Sequence, residues 1–191
     1  MVFYDRVVPG MQVDQVIIDD LDAAYRATKH MIEEGYRYIY HFAGPQNLLI
    51  GQQRKEGFLK AMNEAGLEIN DRQIIEIDNF EKARNAVIEI LESKLPFDGI
   101  FAVNDMTAIG AMQTLLKKGI KIPKDAAVVG FSDGRFSSIT DPTLSSVDQH
   151  GYEMGTLATD MLLKRILSKK DYPSLTNVLN ANLIVRGSSR K

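Results

Sequence analysis

The side chains best suited to chemistry lie in a short polar loop, G-F-S-D-G, between Gly130 and Gly134. The apolar run A-A-V-V at 126–129 precedes this loop and is typical of a strand buried on both faces. Ser132 and Asp133 supply a hydroxyl and a carboxylate, which bind ligands through hydrogen bonds. Because open α/β sheets bind small molecules at the carboxyl ends of their strands, this pattern predicts a ligand site.

The same loop also matches the G-x-S-x-G pattern around the nucleophilic serine of α/β-hydrolases. Asp141 or Asp148, and then His150, follow in the hydrolase order. That pattern needs a helix directly after the serine, whereas residues 135–140 show little helical periodicity and lead into a proline turn. The sequence therefore favours binding without catalysis, and we expect no enzyme.

Predicted strands and helices alternate along the chain around this loop. The strands cover residues 2–4, 13–18, 38–42, 74–77, 99–103, 126–129, 144–147 and 183–186. The helices cover 20–34, 52–65, 81–93, 106–118 and 151–167, and glycines at 35, 66 and 119 mark three helix ends. This alternation predicts an α/β fold with mostly parallel sheets.

The first βα unit and the helix at 151–167 flank an otherwise complete run of βα units. We therefore expect two lobes joined by crossing strands, with the first lobe short of strands. An amphipathic helix must be covered by another element, so we also expect exposed apolar surface on that lobe unless a second chain covers it.

Composition limits the classes of function. The 191 residues are 45% hydrophobic and 25% charged, with 23 basic and 25 acidic side chains and no basic run, which indicates a soluble globular protein without a nucleic-acid surface of its own. There is no cysteine, the three histidines lack ligand spacing, and no phosphate-binding glycine motif is present, so we expect neither metal nor cofactor. Without a signal-peptide pattern or an apolar run of roughly 20 residues, the sequence predicts a cytoplasmic protein with no membrane contact.

A series of short motifs is spaced along nearly the whole chain. The most specific is I-P-x-D-x-x-V-V-G-F at 122–131, continued by D-P-x-L-S-S-V-x-Q at 141–149. Others are V-F-Y-D-R at 2–6, A-G-P at 43–45, R-x-x-G-F at 54–58, V-N-D at 103–105 and L-I-V-R-G-S-S at 183–189. Together they resemble the effector domain of the lactose/galactose repressor (LacI/GalR) family of transcriptional regulators.

The resemblance implies a periplasmic-binding-protein-like (type I) fold, with two Rossmann-like parallel-sheet lobes and effector bound between them. Residues 1–36 and 150–172 would form a partial N-terminal lobe, and residues 37–149 and 173–191 the C-terminal lobe. The crossings would lie near Tyr36, His150 and Tyr172. It also implies a missing upstream part, with a helix-turn-helix headpiece through which alone the protein would contact operator DNA.

Several site residues follow from the resemblance. Arg54 stands at the effector-contacting arginine, where a guanidinium would suit sugar hydroxyls or a carboxylate, although an ion pair is the alternative. Asn104 matches a residue that hydrogen-bonds effector, although a helix N-cap is the alternative. Phe80 resembles the aromatic that packs on a sugar face, and a core phenylalanine is the alternative. Asp5 and Arg6 match the contribution of the N-terminal lobe.

Two departures from the family pattern concern the ligand. Ser132 stands where many members have an aspartate that holds paired hydroxyls, so that either Ser132 makes a weaker contact or Asp133 has taken over. Leu48 and Ile50 fill places where some relatives use polar contacts. Together they suggest an effector that is less polar than a simple hexose, or differently substituted.

The resemblance implies a function in which a small metabolite, a sugar or sugar derivative, biases the relative orientation of the lobes and so changes operator affinity. A homodimer through the C-terminal lobe is implied, with helix 106–118 as a candidate surface. A transport binding protein for sugars, which has the same fold, is the alternative.

Overall fold

The computed structural model describes residues 1–168 and 173–191, which form nine strands and five α-helices. The strands are β1 (Val2–Tyr4), β2 (Asp14–Ile18), β3 (Ile39–Ala43), β4 (Ile74–Glu76), β5 (Gly99–Ala102), β6 (Ala127–Ser132), β7 (Ser145–Asp148), β8 (Thr176–Leu179) and β9 (Asn182–Ile184). The helices are α1 (Asp20–Glu33), α2 (Leu49–Glu64), α3 (Phe80–Ser93), α4 (Asp105–Lys117) and α5 (Gly151–Leu167). In this part of the chain no helix is both long and apolar enough to cross a bilayer.

The strands form two separate sheets. The smaller has the order β1-β2-β8 and the larger has the order β4-β3-β5-β6-β7-β9. Every pairing is parallel except that of β7 with β9. The predicted α/β class with parallel-dominated sheets is confirmed.

Side chains of the central strands alternate between two apolar clusters. Ile39, Phe101 and Val129 face the cluster that contains α1 and α2, whereas Phe42 and Val128 face the cluster that contains α3 and α4. Strands buried on both faces read as continuous apolar runs, and for this reason β3, β5 and β6 were predictable from sequence.

Glycine permits the close packing of both helix pairs. A Cβ atom on Gly57 of α2 would lie 2.2 Å from the carbonyl oxygen of Leu21 in α1. A Cβ atom on Gly110 of α4 would lie 2.4 Å from the carbonyl oxygen of Phe80 in α3. The two helix pairs that cover the larger sheet therefore touch along their backbones.

Two of the crossings between the sheets differ from the predicted ones. Helix α1, assigned to the N-terminal lobe, packs against α2 and against β5, β7 and β9 of the larger sheet, so the chain crosses before Asp20 rather than near Tyr36. Tyr172 lies outside the described residues, and β8 beyond it still pairs with β2 of the smaller sheet. The chain therefore returns to the larger sheet at 180–181. Helical periodicity shows that a face is covered, but not by which sheet.

The third crossing lies between β7 and α5, at His150, whose backbone is left-handed with φ 53°. Helix α5 packs against β1 and β2. Strands of the smaller sheet therefore come from both ends of the described chain.

The segment after β9 closes the larger sheet. Ser188 is fully buried, and its amide donates to the carbonyl of Thr143 (2.9 Å). Its carbonyl accepts from the amide of Val128 (2.9 Å), and its hydroxyl accepts from the amide of Ser145 (2.8 Å). Ser188 thereby joins β6 to the start of β7.

Candidate functional site

A cleft of about 210 Å³ opens between the two sheets at the carboxyl ends of their strands. Its lining residues all lie at or shortly after strand ends or at the start of α2: Asp5, Arg6, Gly44, Pro45, Leu48, Ile50, Gly51, Arg54, Asp78, Val103, Asn104, Ser132 and Gln149. Five of the seven predicted site residues are among them, namely Asp5, Arg6, Arg54, Asn104 and Ser132. The structure does not bring Phe80 and Asp133 to the cleft wall.

Arg54 is buried beside the cleft, and much of its hydrogen-bonding capacity is used within the protein. Its Nε donates to Asp20 Oδ1 (2.7 Å) and its Nη1 donates to the carbonyl of Val103 (2.6 Å). The guanidinium carbon lies 3.6 Å from the centroid of the Phe131 ring, a cation–π contact. Burial raises the pKa of the Asp20 carboxyl, and Arg54 partly offsets that shift. The ion-pair alternative for Arg54 is therefore present, alongside its position on the cleft wall.

Asn104 caps α4, which was the alternative noted from sequence. Its Oδ1 accepts from the amide of Thr107 (2.9 Å), and its Nδ2 donates to the carbonyl of Asp78 (2.8 Å). The side chain also lines the cleft. The oxygen and the nitrogen of the side-chain amide are thus held in fixed directions at the cleft wall, which orients any further hydrogen bond to a ligand.

Asp133 points to the protein interior. Its carboxylate accepts from Arg186 Nη1 (2.6 Å) and Nη2 (3.0 Å) and from the Ser137 hydroxyl (2.7 Å). Burial opposes ionisation, but the bonds from Arg186 and Ser137 outweigh it and lower the pKa of the Asp133 carboxyl. Of the two loop residues, Ser132 is the one at the cleft wall.

Phe80 is the first residue of α3 and packs against the apolar cluster formed by α3 and α4. Its ring lies 6.0 Å from the Arg84 guanidinium carbon. This arrangement corresponds to the core alternative, because the turn before α3 presents Asp78 to the cleft in place of the aromatic ring.

The smaller sheet contributes Asp5 and Arg6, which follow β1. Asp5 Oδ1 accepts from Gln149 Nε2 (3.1 Å), so a hydrogen bond joins the end of β1 to the residue after β7. Sequence reasoning missed Gln149 and Asp78 as site residues. The available signal was their position immediately after predicted strands.

The chemistry of the wall is mixed. Leu48, Ile50 and Val103 form an apolar part, and the polar part consists of amide, hydroxyl and charged groups. Two of the charges have partners, since Arg54 is paired with Asp20 and Asp78 Oδ1 lies 3.2 Å from Lys82 Nζ. The cleft therefore offers fixed hydrogen-bonding groups together with the opposite charges of Asp5 and Arg6 from the smaller sheet.

The helix required by the hydrolase pattern is not present after Ser132. Strand β6 ends at that residue, and turns occupy 135–139. His150 Nδ1 lies 3.0 Å from Asp148 Oδ2, and its Nε2 lies 3.0 Å from Asn182 Nδ2. The described part of the chain thus lacks the strand–turn–helix geometry of a nucleophile elbow.

Comparison with known proteins gives one family match. The family described as periplasmic binding protein-like domain matches residues 28–189. The HTH-type transcriptional repressor CytR of Escherichia coli (strain K12) is 29% identical over 191 residues, which is 100% of this chain and 56% of CytR. The chain spans a little over half the length of the curated relatives that it matches.

Solved structures give the same picture. The transcriptional regulator CelR-cellobiose complex is 32% identical with a TM-score of 0.90, covering 98% of this chain and 58% of that one. A LacI family transcriptional regulator from Enterococcus faecium with bound ribose is 25% identical with a TM-score of 0.86. The match covers 99% of this chain and 70% of that one.

Proposed function

The chain belongs to the family of periplasmic binding protein-like domains, and on that premise we propose that it senses a small-molecule effector for a LacI-type transcriptional regulator. The observation that carries the proposal is the convergence of polar groups from both sheets on one cleft. Strands β1, β3, β4, β5, β6 and β7 all deliver residues to it, as expected of a ligand site in an open α/β fold.

The proposed effector is a neutral sugar or sugar derivative. With Arg54 and Asp78 paired, Asn104, Gln149 and Ser132 supply amide and hydroxyl groups, and Asp5 and Arg6 supply a carboxylate and a guanidinium. All of these groups form hydrogen bonds with sugar hydroxyls. The apolar part at Leu48, Ile50 and Val103 favours a ligand with an exposed CH face. Cellobiose and ribose in two similar structures support this class of ligand.

The proposed mechanism is a shift in the relative orientation of the two lobes. Asp5 and Arg6 come from the smaller sheet, whereas Asn104 and Ser132 come from the larger. A ligand that bridges them favours one lobe arrangement only through unequal affinity for the two. In the proposed full-length regulator, a helix-turn-helix headpiece would convert that shift into a change in operator affinity.

A homodimer through the larger lobe is part of the proposal. Helix α4, the surface suggested by the sequence, is mostly buried within the lobe, and Met106 and Leu116 are its exposed apolar residues. Phe136 and Ile139, in the turns after β6, are 57% and 73% exposed. The amide of Gly134 donates to Asp105, which brings these turns beside Met106. Met106, Phe136 and Ile139 together form the proposed dimer patch.

The alternative of a transport binding protein has the same fold and an equivalent cleft. CytR and the two similar structures are transcriptional regulators, which supports the regulatory assignment over transport.

Two asparagine N-caps provide a matched test of the cleft. Asn104 caps α4 and lines the cleft, whereas Asn70 caps a short 3-10 turn (Asp71–Gln73) at an exposed position outside the cleft. Aspartate preserves either cap but removes the amide donor. By calorimetric titration against neutral mono- and disaccharides, including cellobiose and ribose, Asn104→Asp should weaken binding at least tenfold, or about 1.4 kcal/mol. Asn70→Asp should leave binding unchanged.

Two outcomes count against the proposal. The ligand class is wrong if no neutral sugar binds while a phosphorylated or acidic metabolite does. The cleft is the wrong site if a sugar binds equally well to both asparagine variants.

A further inference from the structure

We propose that Asp105 is the positioning residue that fixes Ser132 at the wall of the cleft. The inference rests on the proposed function for its significance, because a ligand hydrogen bond from Ser132 has value only if the cleft binds a ligand. The conformation of the loop can nevertheless be tested without one.

The loop has an unusual backbone. Ser132 has φ 111° and Asp133 has φ 49°, both in the region that favours glycine. Such conformations persist in non-glycine residues when their surroundings hold them in place. Two consecutive residues of this kind at a cleft wall therefore require an anchor.

Asp105 supplies that anchor from the start of α4, where it is 7% exposed. Its Oδ2 accepts from the amide of Gly134 (2.6 Å). Its Oδ1 accepts from the hydroxyl of Ser146 (2.5 Å), which in turn accepts from the amide of Asp133 (3.1 Å). The two amides that follow Ser132 are thus tied to one carboxylate, one directly and the other through a buried hydroxyl.

A carboxylate suits this position for two reasons. Both of its oxygens accept hydrogen bonds, so that the Gly134 amide and the Ser146 hydroxyl each donate to a separate atom, whereas the amide of asparagine has only one acceptor for these two donors. The amino-terminal turn of α4 also favours a negative charge, which offsets part of the cost of burial. Gly130 permits the close approach, since a Cβ there would collide with Asp105 Oδ1.

Arg186 is a second anchor of the loop, and it determines which side chain faces the cleft. Arg186 binds the Asp133 carboxylate with two nitrogens and also donates to the carbonyl of Leu144 (2.7 Å). With Asp133 held on the inner side, the loop presents Ser132 alone to the cleft. Asp105 and Arg186 therefore select a hydroxyl rather than a carboxylate as the contribution of this loop to ligand binding.

The test is residue-resolved amide hydrogen exchange by NMR. Asp105→Asn should accelerate exchange of the Asp133 and Gly134 amides at least tenfold and shift the Ser132 resonances. Ser146→Ala should accelerate exchange of the Asp133 amide, while the Gly134 amide stays protected because its direct bond to Asp105 remains. Asp125→Asn is the matched control, since Asp125 also accepts from a backbone amide, that of Lys121 (2.9 Å), but in an exposed turn outside the cleft lining.

If Asp105 only stabilised the fold, its replacement would accelerate exchange of the backbone amides throughout β3, β5 and β6. That pattern, or unchanged exchange at the loop, overturns the proposal. Ser146→Ala keeps the test decisive if Asp105→Asn does not fold. Titration with the same neutral mono- and disaccharides, including cellobiose and ribose, separates the two proposals. Failure of the wild-type protein to bind any of them rejects the proposed effector class, while exchange at the loop still decides the role of Asp105. If one of these sugars binds, an unchanged affinity in Asp105→Asn also overturns the role of Asp105.

Discussion

At the scale of single residues, the cleft side chains are bound to the protein as well as available to a ligand. Arg54 pairs with Asp20 and Asn104 caps a helix, whereas Asp133 is held away from the cleft wall by Arg186. Sequence could predict the type of residue at each strand end, because parallel strands deliver their loops to one edge. It could not predict these partners, since Asp133 and Arg186 are brought together only by the folded sheet.

His41 leads to a prediction about pH. It is fully buried between the rings of Phe58 and Phe101, with centroids at 5.1 and 5.0 Å, and its Nε2 has no partner among the described residues. Burial lowers the pKa of His41 to about 4. The unfolded chain, with a histidine pKa of about 6.5, therefore binds a proton more readily, so stability falls as pH falls through this window.

The expected loss attributable to His41 between pH 7 and pH 5 is about 2 kcal/mol in the free energy of unfolding. His41→Phe should remove that part of the pH dependence, measured by urea denaturation at both values, while His150→Gln should retain it. An equal pH dependence in wild type and His41→Phe would show that the ring is not protonated on unfolding.

At the scale of elements, sequence patterns predicted the positions of most helices and strands, but not which elements pack or pair with one another. The glycines at 35, 66 and 119 marked helix ends that the structure also shows. Helix α2 begins at Leu49 rather than Gln52, because Leu48 provides no side-chain cap that a sequence could reveal. Strand β8 was missed, since its half-exposed T-N-V-L sequence becomes a strand through pairing with β2.

The packing of α1 on α2 gives a prediction with an internal control. Gly57→Ala should destabilise the protein by roughly 2 kcal/mol or more, because its Cβ would meet the α1 backbone and the helices must separate. Gly155→Ala in α5 meets no atom within 4 Å and should stabilise by about 0.5–1 kcal/mol through helix propensity. Thermal and urea unfolding of both variants compare the two effects, and equal effects would refute the close backbone contact.

At the scale of the whole molecule, the resemblance to the LacI/GalR effector domain is confirmed by the family match and by similarity to regulators of that type. Spaced motifs were sufficient for that assignment because they lie at strand ends and turns that the fold requires. The division into lobes was harder to predict, since it depends on which sheet each crossing segment joins.

The proposed dimer patch gives a prediction about assembly. We expect a dimer in sedimentation velocity at micromolar concentration, and Ile139→Asp should convert it to a monomer by placing a charge in the contact. Tyr152→Asp is the control, because Tyr152 is 93% exposed on α5 in the other lobe. A wild-type monomer, or a dimer lost only in the Tyr152 variant, would place the contact elsewhere.

The position of Ser188 between β6 and β7 has a consequence for the order of folding. Ser188 bonds to Ser145 and to Val128, which are 43 and 60 residues away along the chain. Contacts at such long sequence separation form slowly, because the entropy of closing the intervening loop is lost before the contact stabilises the fold. The attachment of this segment to the larger sheet is therefore expected to be a late step of folding.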